Sequence, residues 1–559
     1  MKLFRRIAEE RSFRPVVSDG RAGVARTSWG RHCKQCLVAA ALLLAFPAPA
    51  RAGQASLVVR DVPLRCERAL AAAAPSFELV GLHWRGSGSV SFSTRSAGGR
   101  WSAWRPAAPE AEDGPDPGSR EAARAAAWRL GSPYWTGPAN GIRYRLRGDV
   151  RRLRAYFVRS AAIAVPPRRL SIAGSPLIVP RLGWSANERI RRAPPRYAPS
   201  LRLAIVHHTA GSNSYSPSQS AAIVRAIEIY HVLGNGWDDI GYNFLVDKYG
   251  QVFEGRYGGI DRNVVGAHAQ GFNTGSAGVA LLGTYTSRAP SAAALRSLEA
   301  LLAWRLDLAH VDPRSSLTYI SGGNPRFAAG APVFLRAISG HRDTGFTTCP
   351  GYALYRRLPT IARAVAAVGL PKLYTPAVTG RIPGRVRFRA RLSSPLPWTV
   401  TVTDKLGTIL ATGSGTKAAV DWTWDATLYG RGTYFWSISA GTGVRPATGS
   451  LGAKPPPLRI SAVAATPPVI SPNGDGIDDF ATISYTLSVP ALVTATLLDA
   501  TGETVSTLFA DELHNAGPQS FAFYGDEIPD GSYRIVLKAK VDGRTVTGST
   551  TLTVDRAAG

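Results

Sequence analysis

The chain has 559 residues, 45% of them hydrophobic and 9% aromatic, a length that at roughly 150 residues per domain implies three or four folded domains and excludes disorder. Its net charge is +28, yet only nine of the 66 basic residues are lysines, and the arginines are scattered through every kind of segment. With no basic stripe interleaved with aromatics and no groove-reading motif, the charge signals no nucleic-acid partner and leaves only loose attraction to anionic polymers.

Residues 1–52 read as an export signal. A basic stretch precedes the apolar run Leu37–Phe46, and Ala50-Arg51-Ala52 places small residues where a signal peptidase reads them. The run is about half the ~20 residues a membrane-spanning helix needs, so no stable span is expected after cleavage; an uncleaved anchor is the other reading. Cys33 and Cys36 form a CxxC just before this run and are removed with it. Cys66 and Cys349 remain, and a disulfide between them is open to an exported protein.

Residues 53–165 alternate apolar and polar positions in short runs such as Val90–Thr94 and Arg143–Arg147, with turns such as Asp113-Gly-Pro-Asp-Pro-Gly118 between them. This is a β-rich domain. It gathers Trp84, Trp101, Trp104, Trp128 and Trp135, which either stack on sugars or fill a core. A proline-rich linker follows at 166–177. Between 178 and 370 strand-like runs (Leu203–Val206, Tyr242–Val246, Gly278–Leu282) alternate with helix-like ones. One helix starts after Ser216-Pro217 and carries Ile223, Ile227 and Tyr230; another spans Ala292 to Leu308. The domain is α/β, a mixed sheet with flanking helices.

Past Pro371 the β pattern returns as an internal repeat. Trp398–Asp404 with Gly432–Trp436 parallels Val493–Asp499 with Gly531–Ile535. Two β-sandwiches are expected, at 375–455 and 456–556. Asn473-Gly-Asp-Gly-Ile-Asp-Asp479 spaces oxygen ligands as a calcium loop would, but Ser484 stands where such a loop carries glutamate. An ordinary Asx/Gly turn is the alternative.

Six of the nine histidines fall between residues 207 and 341. His207 and His208 end the strand Leu203–Val206; His341 follows Ile338-Ser-Gly340, and Cys349 comes eight residues later in Thr347-Thr-Cys-Pro-Gly351. Two imidazoles and a thiolate are zinc ligands, and three protein ligands leave a fourth position for water. Ordinary core and loop residues would read the same way on spacing alone.

Five motifs in order settle that choice. Leu203–Gly211, Gly236-Trp-Asp-Asp-Ile-Gly-Tyr-Asn-Phe244, Gly250–Arg256, Gly266-Ala-His268 and Gly340-His-Arg-Asp343 with Cys349-Pro-Gly351 resemble the peptidoglycan recognition protein family, which shares its fold with type 2 N-acetylmuramoyl-L-alanine amidases. The resemblance covers about 178–370 and implies an amidase domain with Zn2+ held by His207, His341 and Cys349. It implies that Tyr242 stands beside the attacking water, that Thr347 assists catalysis, and that His231, His268 and Asn273 line the substrate cleft. His208 is then structural or a neighbour of the site. The implied reaction is hydrolysis of the amide between N-acetylmuramic acid and L-alanine; the implied partners are peptidoglycan, muropeptides and anionic cell-wall polymers, in a secreted or envelope location. A non-catalytic peptidoglycan-binding protein using the same cleft is the competing reading, and a zinc peptidase cutting within the stem is a second. Arg256–Asn263 is longer than the family's loop before Gly266, which leaves diaminopimelate or lysine preference unassigned. The last unit, with Ser471–Gly476, resembles the immunoglobulin-like module of flagellar hook-assembly proteins.

Overall fold

The computed structural model describes residues 55–64, 69–107, 113–125, 128–162, 174–541 and 544–557. The expected export signal with Cys33 and Cys36, Cys66, and most of the linker lie outside the described residues. Among the described helices none is long and apolar enough to cross a membrane.

The strand Leu203–His208 explains how the centre of the molecule is organised. Leu203, Ala204, Ile205 and Val206 are all 0% exposed, the continuous apolar run required where a parallel strand is covered on both faces. Burying each of the larger side chains contributes about 1.5–3 kcal/mol. This strand pairs in parallel with Ile338–Gly340 on one side and Ser276–Leu281 on the other. The sheet continues through Phe244–Val246, Val252–Glu254 and Ile178–Val179, and only the pair Phe244–Val246 with Val252–Glu254 is antiparallel. Helices Ala292–Asp307 and Leu358–Ala367 pack on one face, Ser220–Ile229 on the other.

Local sequence sets the helix ends. Ser291 accepts a hydrogen bond from Ala294 N and so caps Ala292–Asp307. The signal at Ser216-Pro217 opens a 3-10 turn, Pro217–Gln219, closed by Gln219 Oε1 accepting from Ser216 N at 2.8 Å. The α-helix proper starts at Ser220, then widens to a π-turn, Tyr230–Gly234. The expected strand at Tyr242 begins only at Phe244, because Tyr242 is turned toward the histidines described below.

The region before residue 163 forms a seven-stranded antiparallel sheet in the order Ser56–Asp61, Arg152–Arg159, Ala69–Arg85, Tyr134–Arg147, Ser89–Ser96, Arg105–Pro106, with Arg129–Leu130 added on Ala69–Arg85. One short helix, Arg120–Ala125, interrupts the β pattern. Of the five tryptophans, Trp84 and Trp135 are core. The others carry arginine lids: Arg143 lies over Trp101 and Trp104, Arg145 lies 4.0 Å over Trp104, and Arg85 and Arg154 lie over Trp128. These cation–π contacts pair the outer indoles with the arginines of neighbouring strands.

Beyond residue 372 two sandwiches share one topology. Leu373–Gly380, Arg385–Leu392 and Ala419–Asp425 form a three-stranded sheet, and Ile409–Gly415, Trp398–Thr403, Thr433–Ser439 and Ala447–Gly452 a four-stranded one. The same order recurs in Ile460–Thr466, Phe480–Leu487, Gly517–Tyr524 and in Thr504–His514, Ala491–Leu498, Gly531–Val541, Arg544–Val554, with Val469–Ile470 added at the edge. The Asn473–Asp479 loop is a turn network: Asp479 accepts from the backbone of Asn473, Gly474 and Gly476, and Asp475 accepts from Ile477 N.

Candidate metal centre

His207 is the penultimate residue of the strand Leu203–His208, so pleat alternation sets its side chain opposite that of Val206 and of His208. His341 follows the neighbouring strand Ile338–Gly340 directly and opens a 3-10 turn. Cys349 returns to the same edge, tied by Arg342 N donating to its carbonyl at 2.9 Å. Ligand atoms of His207, His341 and Cys349 lie within 4.8 Å of one another, and all three residues are buried. The thiol of Cys349 is free and lies 3.7 Å from His207 Nδ1. His208 N donates to its sulfur at 3.4 Å, which favours the thiolate. The carboxyl ends of parallel strands are where open α/β sheets place their sites.

The second histidine of the pair has a different role. His208 Nδ1 accepts from Tyr285 N at 3.2 Å, on the other face of the strand. His268 is more informative. It is 0% exposed, and its Nδ1 lies 3.1 Å from His207 Nε2, while its own Nε2 reaches Ser276 Oγ at 3.4 Å. In the tautomer with its proton on Nε2, His207 donates to His268 and turns its Nδ1 lone pair toward Cys349. Glycine makes room for it, since a Cβ on Gly278 would meet the His268 ring at 2.3 Å. His268, expected to line the cleft, is buried against His207 in this structure, where it can orient that ring.

Tyr242 is 3% exposed, with its ring 5.3 Å from that of His207 and 5.7 Å from that of His231. His231 Nδ1 accepts from Gly241 N at 3.0 Å, its ring lies tilted against Trp237 with centroids 4.4 Å apart, and its Nε2 is buried without a hydrogen-bond partner. Thr347 Oγ1 accepts from Cys349 N at 3.2 Å, so its hydroxyl holds the cysteine turn. Asn273 Oδ1 accepts from the backbone of His268 and Ala269. Both His231 and Asn273 are buried here rather than open to solvent.

Charge at the site is polarised. Burial, with the neighbouring imidazoles, holds His207 well below its ordinary value, and burial pushes His268 and His231 down to about 3. Burial also opposes the charge of His341, but the Asp113 carboxylate and Cys349 outweigh it and hold this imidazole well above its ordinary range. Burial pushes the Cys349 thiol up, against the pull of His341. Both ring nitrogens of His341 are buried with no aligned hydrogen-bond partner. Two imidazoles and one thiol converge here, the His341 nitrogens without an aligned hydrogen-bond partner, and this donor set fits a tetrahedral zinc ion.

Sequence reasoning missed Asp113 and Asp116, which reach this edge from the N-terminal sheet. They lie in a segment read as a plain turn. The available signal was four acids within Glu110–Asp116 of a strongly basic chain.

Such an α/β domain places a buried His-His-Cys cluster at the carboxyl edge of its sheet, a donor set that could hold one metal ion. The family model for N-acetylmuramoyl-L-alanine amidase matches residues 197–352. The N-acetylmuramoyl-L-alanine amidase of Sus scrofa is 34% identical over 230 residues, covering 40% of this chain and 32% of that protein. Peptidoglycan-recognition protein SC2 of Drosophila simulans is 34% identical over 162 residues, 29% of this chain and 73% of that protein. A solved structure of human PGRP-IBETAC in complex with glycosamyl muramyl pentapeptide is 30% identical, covering 33% of this chain and 94% of that one, with a TM-score of 0.26. The chain belongs to the family of peptidoglycan recognition proteins and N-acetylmuramoyl-L-alanine amidases, which holds both catalytic and non-catalytic members. It spans about a third of the length of the porcine relative.

Proposed function

We propose that this protein is an exported zinc-dependent N-acetylmuramoyl-L-alanine amidase acting on peptidoglycan. The observation that carries the reading is the convergence of His207, His341 and Cys349 beside Tyr242; family membership names the substrate. His207 through Nδ1, His341 and the Cys349 thiolate would hold the ion. When bound, zinc polarises the scissile carbonyl and lowers the pKa of a water toward ~7.

The chain's own residues do the rest. Tyr242 holds the attacking water and donates a hydrogen bond to the oxyanion that develops on the lactyl carbonyl. Thr347, fixed by its bond to Cys349 N, retains a hydroxyl proton to donate to that oxygen. His268 keeps His207 in one tautomer throughout. Water adds its oxygen to the lactyl carbonyl carbon, the amide C–N bond breaks, and a proton goes to the amine of L-alanine. Export is supported by the basic stretch, apolar run and Ala50-Arg51-Ala52 of residues 1–52. The excess of arginine would add loose attraction to anionic wall polymers. The last two sandwiches are spacer or attachment modules in this reading, the final one of the hook-assembly immunoglobulin-like type.

Digestion of intact walls with the zinc-loaded protein tests the proposal. Free lactyl-muramic acid and released stem peptides are expected. Walls that are bound but yield neither product would leave a binding protein, and cleavage within the stem would make it a peptidase. Cys349→Ser is expected to lose zinc and hydrolysis together while wall binding persists. Full zinc stoichiometry in that variant, by elemental analysis, would refute the ligand set.

A further inference from the structure

Asp113 comes from the N-terminal β-rich region, nearly one hundred residues before the first histidine of the site. Its Oδ1 nevertheless lies 2.7 Å from His341 Nδ1 and 4.0 Å from His207 Nδ1. The shorter contact lacks hydrogen-bond alignment, and both of its atoms are buried without any other partner. Asp113 is the ion-pair partner of His341 in this geometry, and its oxygen also lies close enough to the His207 and His341 nitrogens to be offered to a cation held between them. Carboxylate oxygen is an ordinary zinc ligand, and a fourth protein ligand turns an open tetrahedral site into a closed one.

The segment carrying Asp113 is fastened across the cleft. Asp116 Oδ1 accepts from Gly271 N at 2.9 Å and from Asn273 Nδ2 at 2.7 Å, and Gly114 O accepts from the same Asn273 amide at 2.9 Å. Gly114 lies against the Trp237 indole, so close that an added Cβ would touch the ring at 3.6 Å, and its φ of +153° also favours glycine. Behind the segment Glu121 pairs with the buried Arg256 and accepts from Asp238 N, while Arg124 pairs with Asp238. Asn273 and Trp237 are thus engaged by the chain itself.

Resting on the metal site proposed above, we infer that Asp113 is the fourth ligand of that centre and that Asp113–Gly118 is a built-in plug. In this conformation the protein is latent, and the site opens only when the segment withdraws. A ligand that displaces it has to supply an oxygen at the metal and acceptors for the Gly271 and Asn273 donors. That is the chemistry of an acidic peptide.

The test uses the full chain loaded with Co2+ in place of zinc, with azide as the probe of an open coordination position. The wild-type visible spectrum should be that of a closed four-coordinate site and should not respond to azide. Asp113→Ala, and separately Asp116→Ala, which leaves the metal ligands intact, should make the spectrum azide-sensitive. Both should raise wall hydrolysis by on the order of tenfold, the discount carried by a site competent about a tenth of the time. A wild-type spectrum that already responds to azide overturns the inference. So does an Asp113→Ala spectrum identical to wild type, or one that changes while hydrolysis falls, since Asp113 would then serve catalysis. Should Asp113→Ala fail to fold, by circular dichroism, the wild-type titration and Asp116→Ala decide. Absence of any cobalt bands in wild type strikes at the metal reading instead.

Discussion

His268 shows how one residue acts through another. Its ring lies between His207 Nε2 and Ser276 Oγ, so His268 selects which nitrogen of His207 faces the sulfur. Partners of this kind cost 10–100-fold in metal affinity when removed. His268→Ala should therefore weaken zinc binding by about that factor while leaving the fold intact, measured by competition with a chromogenic chelator; unchanged affinity would make the contact incidental. The spacing of His207, His341 and Cys349 raised the ligand set as one of two readings, and the five motifs of the family resemblance chose it. The role of His268 was not legible, because a histidine after Gly266-Ala looks the same in sequence whether it faces substrate or a ligand.

Single elements matter through what they brace. Arg181, in the 3-10 turn Arg181–Trp184, is buried and meets Glu228 Oε1 at 2.9 Å, Glu188 Oε1 at 2.6 Å and Asp239 at 3.3 Å. It ties the helix Ser220–Ile229 to the cleft wall that carries Trp237. Burial pushes Glu228 up to about 7 even with Arg181 beside it. Arg181→Met would leave Glu228 and Asp239 without their buried cation, and a loss of about 3–5 kcal/mol in unfolding free energy is expected by denaturant titration. The long loop Arg256–Asn263 has a comparable structural use. Arg256 is held by Glu121, and Asp261 pairs with Lys540 of the last sandwich at 2.7 Å. The extra length that clouds stem specificity is thus engaged in contact between domains.

At the scale of the whole molecule, the N-terminal sheet and the amidase domain share one core. Leu79, Trp135, Tyr156 and Val158 pack with Ile223, Ile227 and Tyr230, and Gly81 sits so close to Tyr230 that a Cβ would overlap its ring. At this seam His83 Nε2 lies 2.9 Å from Tyr230 Oη and 3.1 Å from Asn235 Oδ1, with the Tyr156 ring and the charge of Arg154 beside it. Burial pushes His83 from 6.5 down to about 3. A depressed value favours the neutral ring, so its contribution is complete above pH 6.5 and is lost as pH falls from there toward 3. Docking should weaken by on the order of 2 kcal/mol between pH 6.5 and 5. Thermal melts should show that acid sensitivity in the wild type and a shallower one in His83→Gln, the remainder coming from the other buried histidines His207, His231 and His268; equal slopes for the two would exclude His83 as a source.

What the sequence by itself determined is whatever short-range chemistry and periodicity encode. That includes the apolar run Leu203–Val206 as a fully buried strand, the helix that Ser291 caps, and the repeat of Trp398–Asp404 in Val493–Asp499. It includes the zinc-type donor set His207, His341 and Cys349. Only the tertiary structure decided which side chains stand behind those donors and what stands in front of them. Asp113 and Asp116 reach the site from a different sheet, through a turn whose residues are those of any exposed loop. Their position depends on docking between two domains, a long-range packing event that leaves no local pattern in the chain.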